Sequence, residues 1–178
     1  HELRNPLNII SMASAAVDAE LRGHIQTQLK RADRLIADML VYAGRLQLQP
    51  TLFPLQPLVQ SLLLQAPDGV RTELAMPADL QLYADPYRIQ QVLQNLFDNA
   101  FAFLRNQPGA CLRVEASTSD AEVQIRVLNN GPALDPALLD GQLFRPFVSK
   151  RAGGSGLGLA IVARIILAHQ GRIQHDTD

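Results

Sequence analysis

The first residues of the chain combine a histidine, a carboxylate and an amide at helical spacing. They include His1, Glu2 and Asn5, and on a helix His1 and Asn5 lie one turn apart on one face. An exposed imidazole can attack phosphorus as a nucleophile. Glu2 can orient the ring and accept its proton, and Asn5 can position a water molecule. Taken alone, however, an exposed histidine on a helix is usually only a solvated side chain.

A second candidate set is a pair of asparagines within an amphipathic segment. Asn95 and Asn99 are one helical turn apart and face the same way. A side-chain amide oxygen is a neutral, hard ligand, which suits a Mg²⁺ ion that keeps most of its ligands as water and phosphate. By itself, such a pair more often marks a polar helix surface than a metal site.

Two glycine-containing segments could bring the backbone close to phosphates. Glycine permits that approach, and a helix that follows directs its N-terminal amides at the anion. Read without context, both segments are ordinary turns, because Asn-Gly is a common turn pair and many glycine runs are helix entries. The candidate residues are Asn129 and Gly131 in the first segment, and Lys150, Gly154, Ser155, Gly156, Leu157 and Gly158 in the second.

Taken together, these segments resemble the sequence boxes of two-component sensor histidine kinases. His1–Leu7 is similar to their phosphoacceptor box, and Asp85–Ala100 is similar to their N box. Asn129–Leu134 resembles the first glycine box, and Phe144–Val162 resembles the F box and second glycine box of the GHKL ATPases. The four boxes follow the family's order and spacing over nearly the whole chain, so their joint agreement by chance is negligible.

The resemblance implies a mechanism that uses ATP and Mg²⁺. The ion would lie on Asn99, the adenine on Asn129, and the phosphates against the turn that runs from Gly154 to Gly158. His1 would attack the γ-phosphate with help from Glu2, and the phosphoryl group would pass to an Asp of a response regulator receiver domain. Asn5 would support hydrolysis of the regulator's phosphate. The nucleotide-binding set also includes Asn95, Gly131, Lys150, Ser155, Gly156 and Leu157.

Three positions depart from the family pattern. The first glycine box usually has Asp where this chain has Asn129, and a second glycine where it has Ala133. An amide still offers an acceptor oxygen, so we expect adenine binding that is weaker and less selective than with Asp. The family often has a basic residue three positions after the metal ligand; here that position is Ala102, and Arg105 is the nearest substitute.

Two alternatives therefore stay open. One is a nucleotide-binding, dimeric signalling scaffold of the same family with weak or no kinase activity, which the three departures favour. The other is a GHKL ATPase of another class, such as a chaperone or DNA-repair ATPase. The phosphoacceptor box counts against that class, because such enzymes have no use for His1.

The elements that must position these residues fall into two parts, 1–49 and 50–178. In the first part, apolar residues recur at alternating spacings of four and three, which is the heptad seam of a helical bundle. A break near Ala19–Gly23 predicts an antiparallel hairpin for dimerisation and histidine phosphotransfer. Because two helices cannot enclose a core, we expect a homodimer with a four-helix bundle.

The second part alternates strands with helices, so we expect an α+β fold with helices on one face of a mixed sheet. The resemblance makes it an ATP-binding α/β sandwich of Bergerat or GHKL type, with the C-terminal strands truncated at residue 178. The pattern predicts helices over 57–65, 89–103 and 156–169, the last capped by Gly171, strands over 72–75, 80–83, 112–116 and 123–127, and a short element near Leu138.

Composition narrows the possible partners. A net charge of −1 and the absence of Trp give no reason to expect nucleic acid or an acidic membrane surface. The single Cys111 excludes an internal disulfide and suits a reducing cytoplasm. No apolar run is long enough to cross a bilayer, so we expect no membrane contact in this fragment. Because the chain begins inside a predicted helix, we expect a longer protein, which leaves an inner-membrane anchor open.

Overall fold

The computed structural model of the protein describes residues 4–14, 17–120, 122–133, 142–148 and 156–175. Within these ranges a pair of N-terminal helices is followed by a mixed α/β domain. The fold class predicted from the sequence is confirmed. Across the described ranges, no helix is both long enough and apolar enough to span a membrane. The short element predicted near Leu138 lies outside the described residues.

The N-terminal pair consists of α1 (Arg4–Ala13) and α2 (Ala19–Ala43). The predicted break at 19–23 is wrong, because the chain turns earlier, between α1 and Asp18. The Asp18 carboxylate accepts a hydrogen bond from the Leu21 amide at 3.0 Å and so caps α2, as aspartate commonly does. Arg22 closes the turn by donating to two of its backbone carbonyls. Leu21 therefore belongs to α2 rather than to the first helix.

A small two-stranded sheet follows the hairpin. It pairs β1 (Thr51–Pro54) antiparallel with β3 (Gln81–Ala84), and α3 (Leu55–Leu63) begins directly after β1. Prolines stand at 50, 54 and 57, and from the sequence alone they predict a linker here. A short edge strand tolerates proline at its end, so the pairing forms in spite of them.

The larger sheet has β4 (Cys111–Ser119) at its centre, with β2 (Arg71–Ala75) parallel to it and β5 (Glu122–Asn129) antiparallel. Alternate residues of β4, from Leu112 to Ala116, are buried, while Arg113 and Glu115 form an ion pair at 2.7 Å on the opposite face. The buried face is covered by α4 (Pro86–Leu104), whose Phe97 is fully buried. One sheet face therefore builds the core and the other carries charge.

The last described helix, α5 (Gly158–Ala168), packs between α4 and the end of α2. Its buried residues form a second apolar cluster with Val92 of α4, and Val41, Tyr42 and Leu46 pack against that cluster. The Arg164 guanidinium lies 5.7 Å from the centre of the Tyr42 ring and donates a hydrogen bond to the Gly44 carbonyl. Through these contacts the end of the hairpin is docked on α5.

The end of α5 differs from the prediction by one residue. Gln170, rather than Gly171, adopts the left-handed conformation, with φ of 61°. The Gly171 amide then donates to the Ile166 carbonyl at 2.9 Å, which is the outer hydrogen bond of a Schellman motif. A Cβ at Gly171 would lie 3.1 Å from Ile166 Cγ2, so the glycine serves close packing beside the cap.

Candidate functional site

A large, open groove runs along α4 and is also lined by β5, the start of α5 and parts of α2 and the small sheet. It contains residues from three of the predicted boxes. Its lining includes both asparagines of the N box and glycines from both glycine boxes. Leu157 is fully buried in the second cluster and is not one of the residues that line the groove. Six predicted site residues line this groove: Asn95, Asn99, Asn129, Gly131, Gly156 and Gly158.

The two asparagines of α4 present their amides to this groove. Asn95 is only 9% exposed, and its Oδ1 would lie 3.4 Å from a Cβ placed on Gly158. Glycine at 158 therefore lets the start of α5 approach the Asn95 amide. Neither Asn95 nor Asn99 has a side-chain hydrogen bond to another described residue, so both amide oxygens are available to a ligand.

These amide oxygens suit a magnesium ion, because an ion that takes most of its ligands from water and phosphate needs few from the protein. Within the described ranges there is no group of three His, Cys, Asp or Glu residues able to hold a metal on its own. A cation here would therefore depend on neutral oxygens and on the phosphates of its ligand. Asn99 is the residue of the pair that is less buried, which suits it better to this contact.

The turn before α5 requires glycine at 156. Gly156 has φ of +67°, and its carbonyl accepts a hydrogen bond from the Phe147 amide at 2.9 Å. A Cβ at this position would lie 2.6 Å from the Phe147 carbonyl carbon, which is far too close for any side chain. The N-cap residue of α5, Leu157, makes no side-chain cap hydrogen bond, and the positive end of the helix dipole lies at this turn, where it favours an anion.

Neighbouring asparagines at the end of β5 have different partners. Asn129 is exposed at the groove, and its Oδ1 accepts a hydrogen bond from the Gly131 amide at 3.0 Å. Asn130 instead accepts from the Cys111 amide at 2.7 Å and donates to the Gly109 carbonyl at 2.9 Å. Asn130 therefore ties β5 to the start of β4, and Asn129 is the residue that can meet a ligand.

Phe103 is a groove residue that the sequence did not single out. Its Cβ would lie 3.4 Å from a Cβ placed on Gly131, and the side chain is 46% exposed. An exposed aromatic beside Asn129 offers a flat apolar surface at the same end of the groove. Ala102 and Arg105 also line the groove, so a cation stands near the position where the family's basic residue is missing.

Asp85 holds the start of α4 in place. Its carboxylate accepts from the backbone amides of Arg88 at 3.1 Å and Gln49 at 2.9 Å. Burial raises the pKa of Asp85, but the amides of Gln49, Arg88 and Tyr87 and the charge of Arg88 outweigh it, so the net pKa lies below the usual value. The ionised carboxylate thus caps the helix that carries Asn95 and Asn99.

His169 links Asp85 to the end of α5. Its Nε2 accepts the Asp85 amide at 3.0 Å, so the ring proton is on Nδ1, which lies 2.8 Å from the Ile165 carbonyl. Sequence reasoning gave neither residue a role. An aspartate directly before a proline at the start of an amphipathic segment is an N-cap signal that identifies Asp85. No local signal identifies His169.

The remaining predicted residues are not brought into this groove by the described structure. His1, Glu2, Lys150, Gly154 and Ser155 lie outside the described residues. Asn5 lies on α1, where the description of the chain covers only its backbone.

A protein-family model described as "Histidine kinase-, DNA gyrase B-, and HSP90-like ATPase" matches residues 84–178. The chain is 36% identical over 197 residues to a bacteriophytochrome of Pseudomonas aeruginosa, covering 99% of this chain and 26% of that protein. It is 31% identical over 204 residues to the adaptive-response sensory kinase SasA of Synechococcus elongatus, covering 97% and 52%. It is 30% identical over 194 residues to the sensory histidine kinase/phosphatase NtrB of Escherichia coli O157:H7, covering 98% and 55%.

Solved structures give the same picture of similarity. The histidine kinase AdeS of Acinetobacter baumannii matches with a TM-score of 0.75 and 28% identity, covering 100% of this chain and 91% of that one. Full-length ShkA in complex with AMPPNP matches with a TM-score of 0.74 and 28% identity, covering 94% and 39%. Histidine kinase ThkA in complex with the response regulator TrrA matches with a TM-score of 0.68 and 26% identity, covering 96% and 53%. The chain spans from about a quarter to just over half of the three curated relatives.

Proposed function

Since the chain belongs to the histidine kinase-, DNA gyrase B- and HSP90-like ATPase family, as the catalytic core of a two-component sensor histidine kinase, we propose that it uses ATP to phosphorylate its own His1 and passes the phosphoryl group to a response regulator. One observation carries the proposal. Along α4, the Asn95 amide lies against Gly158 at the start of α5, Phe103 lies against Gly131 in the turn after Asn129, and Asn99 stands between Asn95 and Phe103 on the same helix. The AMPPNP bound to ShkA supports ATP as the ligand.

In this proposal the groove binds the whole nucleotide. The base lies at Asn129, beside Phe103, and the triphosphate extends toward the first amides of α5. Lys150, Gly154 and Ser155 complete the phosphate contacts. Asn99, with Asn95 one turn before it on α4, would hold a Mg²⁺ ion, which when bound would neutralise charge on the phosphates.

The transfer step proposed for His1 is an in-line displacement. A ring nitrogen of His1 attacks the γ-phosphorus, a nitrogen–phosphorus bond forms, and the bond from the γ-phosphorus to the bridging oxygen breaks to release ADP. Glu2 takes the proton that the imidazole loses. In the second step an Asp carboxylate of the regulator attacks the phosphorus, and the nitrogen–phosphorus bond breaks. The ThkA–TrrA complex supports a response regulator as partner.

Asn5 is proposed to position water for hydrolysis of the regulator's phosphate. The similarity to a sensory histidine kinase/phosphatase supports this second activity. Because ATP is the phosphoryl donor, we place the chain in the cytoplasm.

The hairpin is proposed to form a homodimer. Several large apolar side chains of α1 and α2 are exposed, and two helices alone cannot bury them. Pairing with a second hairpin would bury them in a four-helix bundle. The exposed residues are Ile9, Ile10, Met12, Leu21, Met39 and Leu40.

Labelling with γ-³²P-ATP in the presence of Mg²⁺ tests the proposal. We expect protein-bound label that survives base, and no such label in a His1→Ala variant that still binds ATP with unchanged affinity. His24→Ala is the matched control, since it removes an exposed histidine of α2 and should label normally. Free phosphate without labelled protein would indicate an ATPase of another class.

The alternative is a scaffold of the same family that binds nucleotide without transferring it. Ala102 in the groove, in place of the family's basic residue, is the observation that favours it. Nucleotide binding without label or phosphate release would establish the scaffold.

A further inference from the structure

Asn129 has one oxygen and one amino group, and its hydrogen bond to Gly131 determines how the amide is turned. The Gly131 amide lies 3.0 Å from Asn129 Oδ1. A backbone N–H can pair only with an acceptor, and the amide oxygen is the only acceptor on this side chain. The orientation of the amide is therefore set by chemistry: the oxygen is turned to Gly131 and Nδ2 is turned away.

The tight turn at this point keeps that orientation in place. A Cβ on Gly131 would lie 2.8 Å from Asn129 Oδ1, so the glycine backbone and the amide oxygen are in close contact. No described residue accepts a hydrogen bond from Nδ2. Turning the amide over would place its amino group against the Gly131 N–H, which leaves two donors facing each other.

Neither neighbour of Asn129 can supply the missing acceptor through its side chain. The Asn130 side-chain oxygen accepts a hydrogen bond from the Cys111 amide, and its amino group donates one to the Gly109 carbonyl. Phe103, which lies next to Gly131, is an exposed hydrocarbon ring. On the side away from Gly131, the Asn129 side chain thus carries a donor where a carboxylate would carry an acceptor.

We propose that this donor makes the base site accept 6-oxopurine nucleotides at least as well as ATP. The inference rests on the proposed function, in which Asn129 contacts the purine at position 6. Inosine and guanine carry a carbonyl oxygen there, which can accept from Nδ2. Adenine carries an amino group there, and because both that group and Nδ2 are donors, no hydrogen bond can form between them. The specificity-determining feature is therefore the hydrogen bond between Gly131 and Asn129, which turns the oxygen to the Gly131 backbone and the amino group away from it.

The Asn129→Asp variant replaces the amino group, a donor, by an oxygen, an acceptor, with little change in the shape of the side chain. A carboxylate has two oxygens, so one can keep the Gly131 hydrogen bond while the other faces the base as an acceptor. Its negative charge acts equally on every nucleoside triphosphate, so it cancels in the ratio of two affinities. Inosine triphosphate isolates position 6, because it lacks the 2-amino group that guanine carries.

The experiment is equilibrium binding of ATP, ITP and GTP to the wild type, to Asn129→Asp and to Gln107→Glu, each with excess Mg²⁺. Gln107→Glu makes the same amide-to-carboxylate change on an exposed turn that does not line the groove. We expect the wild type to bind ITP at least as tightly as ATP. The ATP-to-ITP preference should rise by about tenfold in Asn129→Asp, as expected for one hydrogen bond gained and one lost, and stay constant in Gln107→Glu.

Three other outcomes have definite meanings. A wild type that prefers ATP to ITP overturns the inference and leaves the proposed function standing, because nucleotide is bound. An equal ATP-to-ITP affinity ratio in the wild type and in Asn129→Asp also overturns it, since Asn129 then does not face purine position 6. If no nucleotide binds the wild type, the proposed function fails and the inference fails with it.

Discussion

Removal of the Asp85 carboxylate should destabilise the catalytic domain by about 2–3 kcal/mol. One oxygen accepts from Arg88 and caps α4, and the other accepts from Gln49, in the segment that leads from the hairpin to β1. The residue is only 6% exposed, so water cannot readily replace these bonds. Asp85→Ala loses the cap, which contributes about 1 kcal/mol, and leaves the Gln49 amide without its acceptor, which costs about 1–2 kcal/mol more.

The hydrogen bond to His169 should survive this substitution. It uses the backbone amide of residue 85, which alanine retains. The variant should therefore still fold, with α4 and α5 joined at that point. Asp85→Asn is the matched control: its single oxygen can keep one of the two amide contacts, so we expect about half of the loss.

The loss should also depend on pH in a defined direction. Because the pKa of Asp85 is lowered from its usual 3.8 in the folded protein, the ionised carboxyl stabilises the fold at every pH above that value. The contribution fades as the pH falls through the lower, folded-state pKa. The difference between wild type and Asp85→Ala should thus be constant above about pH 5 and shrink below about pH 4.

Urea unfolding followed by circular dichroism, at several pH values between 3 and 7, measures both effects. A loss below about 0.5 kcal/mol at pH 7 would show that the two hydrogen bonds contribute little. A difference that persists unchanged at pH 3 would show that the charge of the carboxylate plays no part.

Two further substitutions test the groove itself. Asn99→Ala should abolish Mg²⁺-dependent labelling with Asn95 intact, as measured by titrating Mg²⁺ in the γ-³²P-ATP assay; unchanged labelling would mean that the ion is held elsewhere. Gly156→Ala should lower the free energy of unfolding by about 3 kcal/mol or more, because its Cβ would meet Phe147 and φ is positive. Gly69→Ala is the matched control, with positive φ but no atom within 4 Å, and should cost only about 1 kcal/mol; equal losses in the two variants would exclude the clash.

The parts of the fold that the sequence predicts well are the helices and strands in which buried residues recur at short, regular intervals along the chain. In β4, alternate residues from Leu112 to Ala116 are buried, and the apolar face of α4 recurs at helical spacing. β1 was missed because its stability comes from pairing with β3, a strand much further along the chain. The hairpin turn was misplaced because the heptad pattern continues through it, while the cap that starts α2 is a single residue, Asp18.

The candidate site follows the same division. The residue types and boxes identify Asn95, Asn99 and the glycines, since each box is local in sequence. His169 was left without a role because its partner, Asp85, is 84 residues away and the contact uses a backbone amide. A sequence shows which polar atoms a residue carries, but a hydrogen bond to a distant backbone group leaves no pattern in it.

Asn129 shows how such a contact changes the chemistry of a predicted residue. By residue type alone, Asn in place of Asp keeps an acceptor oxygen and weakens a single hydrogen bond to adenine. The structure adds the Gly131 amide, which donates to that oxygen and so turns it toward the Gly131 backbone. An aspartate in the same turn would have a second oxygen on the side away from Gly131, where the asparagine has its amino group. The expected effect on base selection is therefore a change of sign at purine position 6, because an acceptor is replaced by a donor, and not merely a weaker preference for adenine.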